Sequence, residues 1–145
     1  MAVSVSTIRQ RIQTAIDAVA GMKPARNPIA GFERGPNTVA HLSYAVGITA
    51  VEARPDDRQR QSQGTLTETK IDVVFAYRLK PKAQLTSYDE AFDKAESLMQ
   101  TITNRTPTVY NEVQIRFLRL SNELSSAGEF IIITLSFEAL HYMPL

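Results

Sequence analysis

The chain has 145 residues, sixteen Lys and Arg against fifteen Asp and Glu, 43% hydrophobic residues and no cysteine. That length suits one domain spanning 1–145 and is short for two, and the apolar content is too high for disorder throughout. A net charge of +1 gives little surplus for displacing nucleic-acid counterions, and the missing thiols exclude disulfides, thiolate nucleophiles and Cys-ligated metals.

Taken in chain order, the first element reads as an amphipathic helix. Ser6 is placed as its N-cap, and Ile8, Ile12, Ala15, Ile16 and Val19 recur on one face. Arg9, Arg11, Gln13 and Asp17 occupy other faces. Gly21 and then Pro24 supply the stop. Met22–Asn37 follows, with Pro24, Pro28, Gly31, Gly35 and Pro36. It is expected to be an ordered surface loop, with one short extended piece near Ile29–Phe32 and length enough for a binding role.

His41–Val51 alternates. Leu42, Tyr44, Val46 and Ile48 fall on one face, and His41, Ser43, Ala45 and Thr49 on the other, so a half-buried strand is expected. Arg54–Gly64 is polar throughout and carries both signs of charge. A second strand then runs from Thr65 to Leu79, with Ile71, Val73, Phe75, Tyr77 and Leu79 on one face. Fifteen extended residues would span roughly 50 Å, against a diameter near 40 Å for a globule of this size. The pair must bend or project, so a protruding hairpin arm centred on Arg54–Gly64 is expected.

Ser87-Tyr88-Asp89-Glu90 has the capping-box spacing and predicts the start of a second helix. Tyr88, Ala91, Phe92, Ala95, Leu98, Met99 and Ile102 form its apolar stripe, read as core, and Asn104–Pro107 ends it. Two further strands follow at Glu112–Leu120 and Phe130–His141, joined by a hairpin loop at Ser121–Gly128. The order α-β-β-α-β-β predicts an α+β fold: a four-stranded, mainly antiparallel sheet with two helices packed on one face. Keeping every neighbour antiparallel places the second strand beside the fourth. Val74, Ala76 and Leu118 on the other sheet face suggest a second covered surface or a subunit contact.

Chemistry-bearing residues are sparse. His41 and His141 lie far apart at strand ends and read as surface or rim residues. No metal-ligand spacing, nucleophile elbow, Walker lysine or dinucleotide loop is present. No catalytic residue, cofactor or metal is therefore expected. Asp56 and Asp57 sit among Arg54, Arg58 and Arg60, a self-neutralising loop rather than a cation site. Asp72 and Arg78 are a candidate pair along one strand face. Arg9, Arg11 and Arg26 do not gather with aromatics as an RNA-binding surface requires. The longest clearly apolar run, Phe130–Ile133, is far short of the ~20 residues of a spanning helix, and Met1–Thr7 shows no leader pattern, so no membrane partner is expected.

The chain as a whole resembles the tail-terminator (tail-completion) proteins of long-tailed bacteriophages. The features are the N-terminal helix, the Gly/Pro-rich connection, the strand at His41–Val51 and the polar excursion at Arg54–Gly64. The stretch from Thr65 to Leu79, ending Tyr77-Arg78-Leu79, then leads after a short spacer into Ser87-Tyr88-Asp89-Glu90-Ala91. The resemblance implies a virion protein of the tail or neck, assembled in the host cytoplasm. It implies a homo-oligomeric ring, usually a hexamer, that caps the head-proximal end of the tail tube. The implied partners are further copies of the chain, the tail tube protein and a head–tail connector or neck protein, with DNA only in transit through the channel. Near-neutral charge suits a lumen that lets DNA slide. No bond is made or broken in such a role.

The family assigns no contact residues here. Geometry places the subunit or tube contact on the arm, at Arg54, Asp56, Asp57, Arg58, Arg60 and Gln61. Arg58 and Arg60 would face neighbouring carboxylates, and Asp56 and Asp57 neighbouring cations. The Gly/Pro loop, with Asn27, Phe32 and Arg34, is the second candidate. The alternatives are another neck or head–tail joining protein and, in a different class, a small ligand-binding or enzymatic α+β domain. A nucleic-acid-binding module is disfavoured by charge.

Overall fold

A computed structural model describes residues 3–25, 40–53, 65–104, 113–125 and 128–144. The described elements are α1 (Val5–Asp17), β1 (Lys23–Pro24), β2 (Ser43–Ala53), β3 (Thr65–Arg78), α2 (Gln84–Asn104), β4 (Gln114–Leu124) and β5 (Phe130–Met143). The strands form one sheet in the order β1-β2-β3-β5-β4. β1 runs parallel to β2, and every other neighbour is antiparallel. The fold is mixed α+β, with five strands rather than the expected four.

The alternating residues of β3 and β5 explain the centre of this sheet. β3 pairs with β5 without a break from Thr65↔Met143 to Arg78↔Phe130, so the second long strand does lie beside the last. One parity of each strand enters the core cluster: Ile71, Val73 and Phe75 from β3, and Ile131, Ile133, Leu135, Phe137 and Ala139 from β5. They share it with Ile8, Ile12, Ala15 and Ile16 of α1 and Ala91, Ala95, Leu98 and Ile102 of α2. Much of the other parity of β5 is also buried. Burying each large aliphatic side chain contributes about 1.5–3 kcal/mol. The cluster is what holds both helices.

Several element boundaries differ from expectation, each for a local reason. α1 is capped by Ser4, whose hydroxyl accepts from the Thr7 amide at 3.2 Å; Ser6 is an exposed first-turn residue. Val3 just upstream is buried and its amide donates to the Tyr142 carbonyl at 2.7 Å, so the chain is held to β5 before the helix starts. The far end of α1 is tied to β2, where the buried Tyr44 donates its hydroxyl to the Asp17 carboxylate. Burial and then that carboxylate push the Tyr44 phenol well above its ordinary range.

The extra strand, β1, escaped the pattern because it contains Pro24. The ladder needs only the flanking donors: the Lys23 amide reaches the Leu42 carbonyl at 3.1 Å and the Ala25 amide the Tyr44 carbonyl at 2.8 Å. A proline is tolerated between them at a sheet edge. The predicted strand start at His41 moves to Ser43 because Leu42 adopts φ 59°, in the left-handed region. Gly21 faces it at φ +85°, and a Cβ there would come within 2.9 Å of Leu42 Cδ1.

The capping box is also displaced. α2 begins three residues before Ser87, after a turn in which the Ala83 amide donates to the Lys80 carbonyl at 3.0 Å. Ser87 is buried, and its hydroxyl accepts from the Lys80 amide at 3.2 Å, while Glu90 accepts from Tyr77. The serine caps the incoming turn and not the helix. Tyr88, expected in the core, is exposed beside Phe92, with ring centroids 5.0 Å apart. β4 continues through Leu124, so Ser121–Leu124 are strand and the connection to β5 is shorter than expected. The piece expected at Ile29–Phe32 lies outside the described residues.

Gly21→Ala would force an alanine into a left-handed conformation against Leu42. We expect it to lower stability by about 1–3 kcal/mol, read from denaturant midpoints. Unchanged stability would mean that the turn does not require glycine.

Candidate functional site

The expected contact residues Arg54, Asp56, Asp57, Arg58, Arg60 and Gln61 lie outside the described residues, as do Asn27, Phe32 and Arg34 and the tip of the expected arm. What is described are the strand ends on either side of that segment. At the end of β2, Val51, Glu52 and Ala53 are exposed while still in register with Thr69, Glu68 and Thr67 of β3. A register shift between Ile48 and Ala50 separates this exposed end from the buried start of the strand.

The charged residues of β3, β4 and β5 lie on the sheet parity that faces away from the core cluster. Lys70, Glu138 and Arg116 are placed side by side by the registers Lys70↔Glu138 and Arg116↔Glu138. Lys70 Nζ donates to Glu138 Oε2 at 2.6 Å, and Arg116 Nη2 donates to the same oxygen at 3.2 Å. The Glu138 side chain is only 7% exposed. The Lys70 hydrogen bond, opposed by burial and aided by Arg116, holds its carboxyl below the usual carboxylate range. The same hydrogen bond raises the Lys70 ammonium. One step along the sheet, Ser136 donates to Asp72 at 2.8 Å. This corrects the expected Asp72–Arg78 pair: six residues of extended strand separate those two by roughly 20 Å.

An open groove of about 400 Å³ runs beside this cluster, lined by Gln114, Ile115, Arg116, Glu138 and Leu140. Its charged groups, Arg116 and Glu138, are paired with each other, beside the apolar side chains of Ile115 and Leu140. Elsewhere on this face Ala76 is buried and Val74 half-buried; Leu118, at the register shift of β4, is exposed.

The histidines have separate, structural surroundings. His141 is buried, which corrects the expectation of a rim residue. Its Nδ1 lies 2.9 Å from the Val3 carbonyl and its Nε2 2.6 Å from Thr69 Oγ1. A carbonyl only accepts, so Nδ1 carries the proton and the Thr69 hydroxyl donates to Nε2. Burial lowers its pKa, against hydrogen bonds to the backbone that raise it. His41 is exposed; its Nδ1 accepts from the Arg78 amide at 3.1 Å, and its ring meets Tyr77 edge-on at 4.6 Å. Burial and the nearby Lys80, Arg78 and Lys94 lower its pKa. Arg9 donates to Gln13 at 2.7 Å, and Arg11 Nη1 is buried without a hydrogen-bond partner. Among the described residues no group of three or more His, Asp or Glu is placed to hold a metal ion, and no helix is long and apolar enough to cross a membrane.

The surface cluster was missed because pairing across three strands is set by register. The signal was present only as parity: Lys70 and Glu138 both occupy outward positions in strands whose other parity is apolar. Compared with known proteins, the chain matches no family model, and no curated protein matches its sequence.

Two measurements follow. Lys70→Ala should destabilise more than Arg116→Ala, because Lys70 holds the shorter bond and is half as exposed, at 32% against 70%. Equal effects would show that the carboxylate depends on Lys70 no more than on Arg116. For His141, folding favours the neutral ring. The unfolded chain then binds the proton first, so stability is full above the ordinary histidine pKa and is lost as pH falls through and below it. Stability should decline from pH 7 to 5, and His141→Asn should flatten that slope; an equal slope in the variant would assign the decline to other groups.

Proposed function

We propose that this chain is a structural protein that works by shape, forming a homo-oligomeric ring that caps the head-proximal end of a phage tail tube. In this reading the ring is a hexamer, one of its faces matches the last tube ring, and the other lacks the surface a further tube subunit would need. Polymerisation stops there, and the exposed face docks to the head connector or neck protein. The mechanism is steric, with no covalent step, and DNA only passes through the channel. The finer architecture belongs to this proposal: both helices on one sheet face and a hairpin arm reaching beyond the body.

The resemblance in sequence order motivates the reading. The observation that carries it is the exposed run-out of β2. Val51–Ala53 extend past the buried part of the strand straight into the polar Arg54–Gly64 segment. A strand end that buries little within its own chain is a natural lever toward a neighbour. The described polar residues engage one another across strands and do not converge on a free pocket, a pattern that suits a surface protein better than an enzyme.

Mixing the purified chain with polymerising tube protein should shorten and narrow the distribution of tube lengths in electron micrographs. Deleting Arg58–Gln63 should leave the thermal transition in place and abolish that effect. Tubes of unchanged length with the intact chain would overturn the reading; an arm deletion that still caps tubes would move the contact elsewhere.

A further inference from the structure

β4 is an edge of the described sheet. β5 lies on one side of it, and no described strand lies on the other. Edge strands are ordinarily short or blunted, because their unpaired amides and carbonyls invite another strand. β4 is long, and it carries large apolar side chains in the open: Leu118 is 39% exposed and Leu124 60%. A register shift between Phe117 and Arg119 interrupts its first half. From Arg119↔Ser136 to Leu124↔Ile131 the ladder with β5 is regular, so the outward edge of this segment is straight as well.

The order of residues in that segment is self-complementary about Ser121. Two copies of β4 laid antiparallel across a two-fold axis at Ser121 place Arg119 opposite Glu123 of the other copy, twice. The same register brings Leu118, the residue at the register shift, toward Leu124, also twice. Arg119 and Glu123 lie on the same sheet face, opposite Ser136 and Ile132 of β5, so the opposite charges meet on one side. Moving the register by two residues either way leaves Arg119 opposite a serine and Glu123 opposite Phe117 or Ser121. Two residues further in either direction sets Arg119 or Glu123 against its own copy, a like-charge contact. A near-neutral chain adds no long-range repulsion between copies.

We infer that β4 is a homodimerisation strand: two copies of this chain join edge to edge, antiparallel about Ser121, into one continuous sheet held by paired Arg119–Glu123 and Leu118–Leu124 contacts. The contact is isologous and closes after two copies. It is independent of the ring reading, whose contacts join unlike surfaces.

Sedimentation of the full chain over a wide concentration range tests this. The unaltered chain should show a concentration-dependent dimer. Arg119→Glu and Glu123→Arg should each weaken it by at least about ten-fold, and the double exchange should restore it. The chain has no cysteine, so Ser121→Cys supplies a single thiol. Directly opposed strand residues lie about 4.5–5.5 Å apart at Cα, within disulfide range. Oxidised Ser121→Cys should therefore migrate as a covalent dimer, and Asn122→Cys far less. Thermal unfolding of each variant checks that it folds; Leu124→Lys, at an exposed site, replaces any that does not and should also weaken the dimer. A monomer at all concentrations overturns the inference. So does any assembly, hexamer included, that ignores both charge reversals and gives no preference for the Ser121 thiol, and that result would leave the ring reading standing.

Discussion

Fourteen residues of β3, Thr65 through Arg78, are each matched to a residue of β5 without interruption. The other elements are built outward from this pair, with β1 joined only through β2. β2 hangs on the far side of β3 and β4 on the far side of β5. Both helices share one buried cluster with these strands, Phe75, Ile133 and Phe137 lying with Ile12 and Leu98, and α1 is also tied to β2 through Tyr44. The two ends of the ladder also anchor the loose ends of the chain. Near Thr65 the strand lies beside His141, whose ring is bonded to Thr69 and to the Val3 carbonyl. At the opposite end Arg78 donates to His41, and Tyr77 reaches Glu90 of α2.

How much of this was legible depended on how far each feature reaches in sequence. The two helices and the strand parities were readable because they repeat locally: Ile8, Ile12, Ala15 and Ile16 at helical spacing, Ile71, Val73 and Phe75 at a period of two. The neighbour of β3 followed from a topological argument. What escaped were features decided by distant partners. Lys23–Pro24 is a strand only because Leu42 and Tyr44 offer carbonyls to the residues on either side of the proline. Ser87 looks like a helix cap, yet its hydroxyl is taken by the Lys80 amide. His141 is buried because Val3 lies across it. The Lys70–Glu138–Arg116 cluster required three strands in register. The residues expected to make contacts, in the Arg54–Gly64 segment and the Gly/Pro loop, lie outside the described residues.

The two proposed contacts use different parts of the sheet and place different demands on it. A ring joins unlike surfaces and repeats until it closes, whereas the Ser121-centred pairing joins like edges and stops at two copies. The exposed end of β2 is at one side of the sheet, and β4 is at the other side. A subunit therefore has room for both at once, or for one in solution and the other on assembly. Arg119 and Glu123 are separate from the internally paired Lys70, Glu138 and Arg116, so the polar face can remain satisfied whichever contact is made.

The strand order carries a consequence for biosynthesis. β5 follows β4 in the chain but lies between β4 and β3. As the polypeptide leaves the ribosome, β3 must wait with one flank bare while all of α2 and β4 are made, and β4 has no neighbour of its own until β5 arrives. Strands left open for that interval are sites for off-pathway association in a crowded cytosol. Translation pauses before Phe130 would prolong the hazard, and a chaperone that shields strand flanks would relieve it.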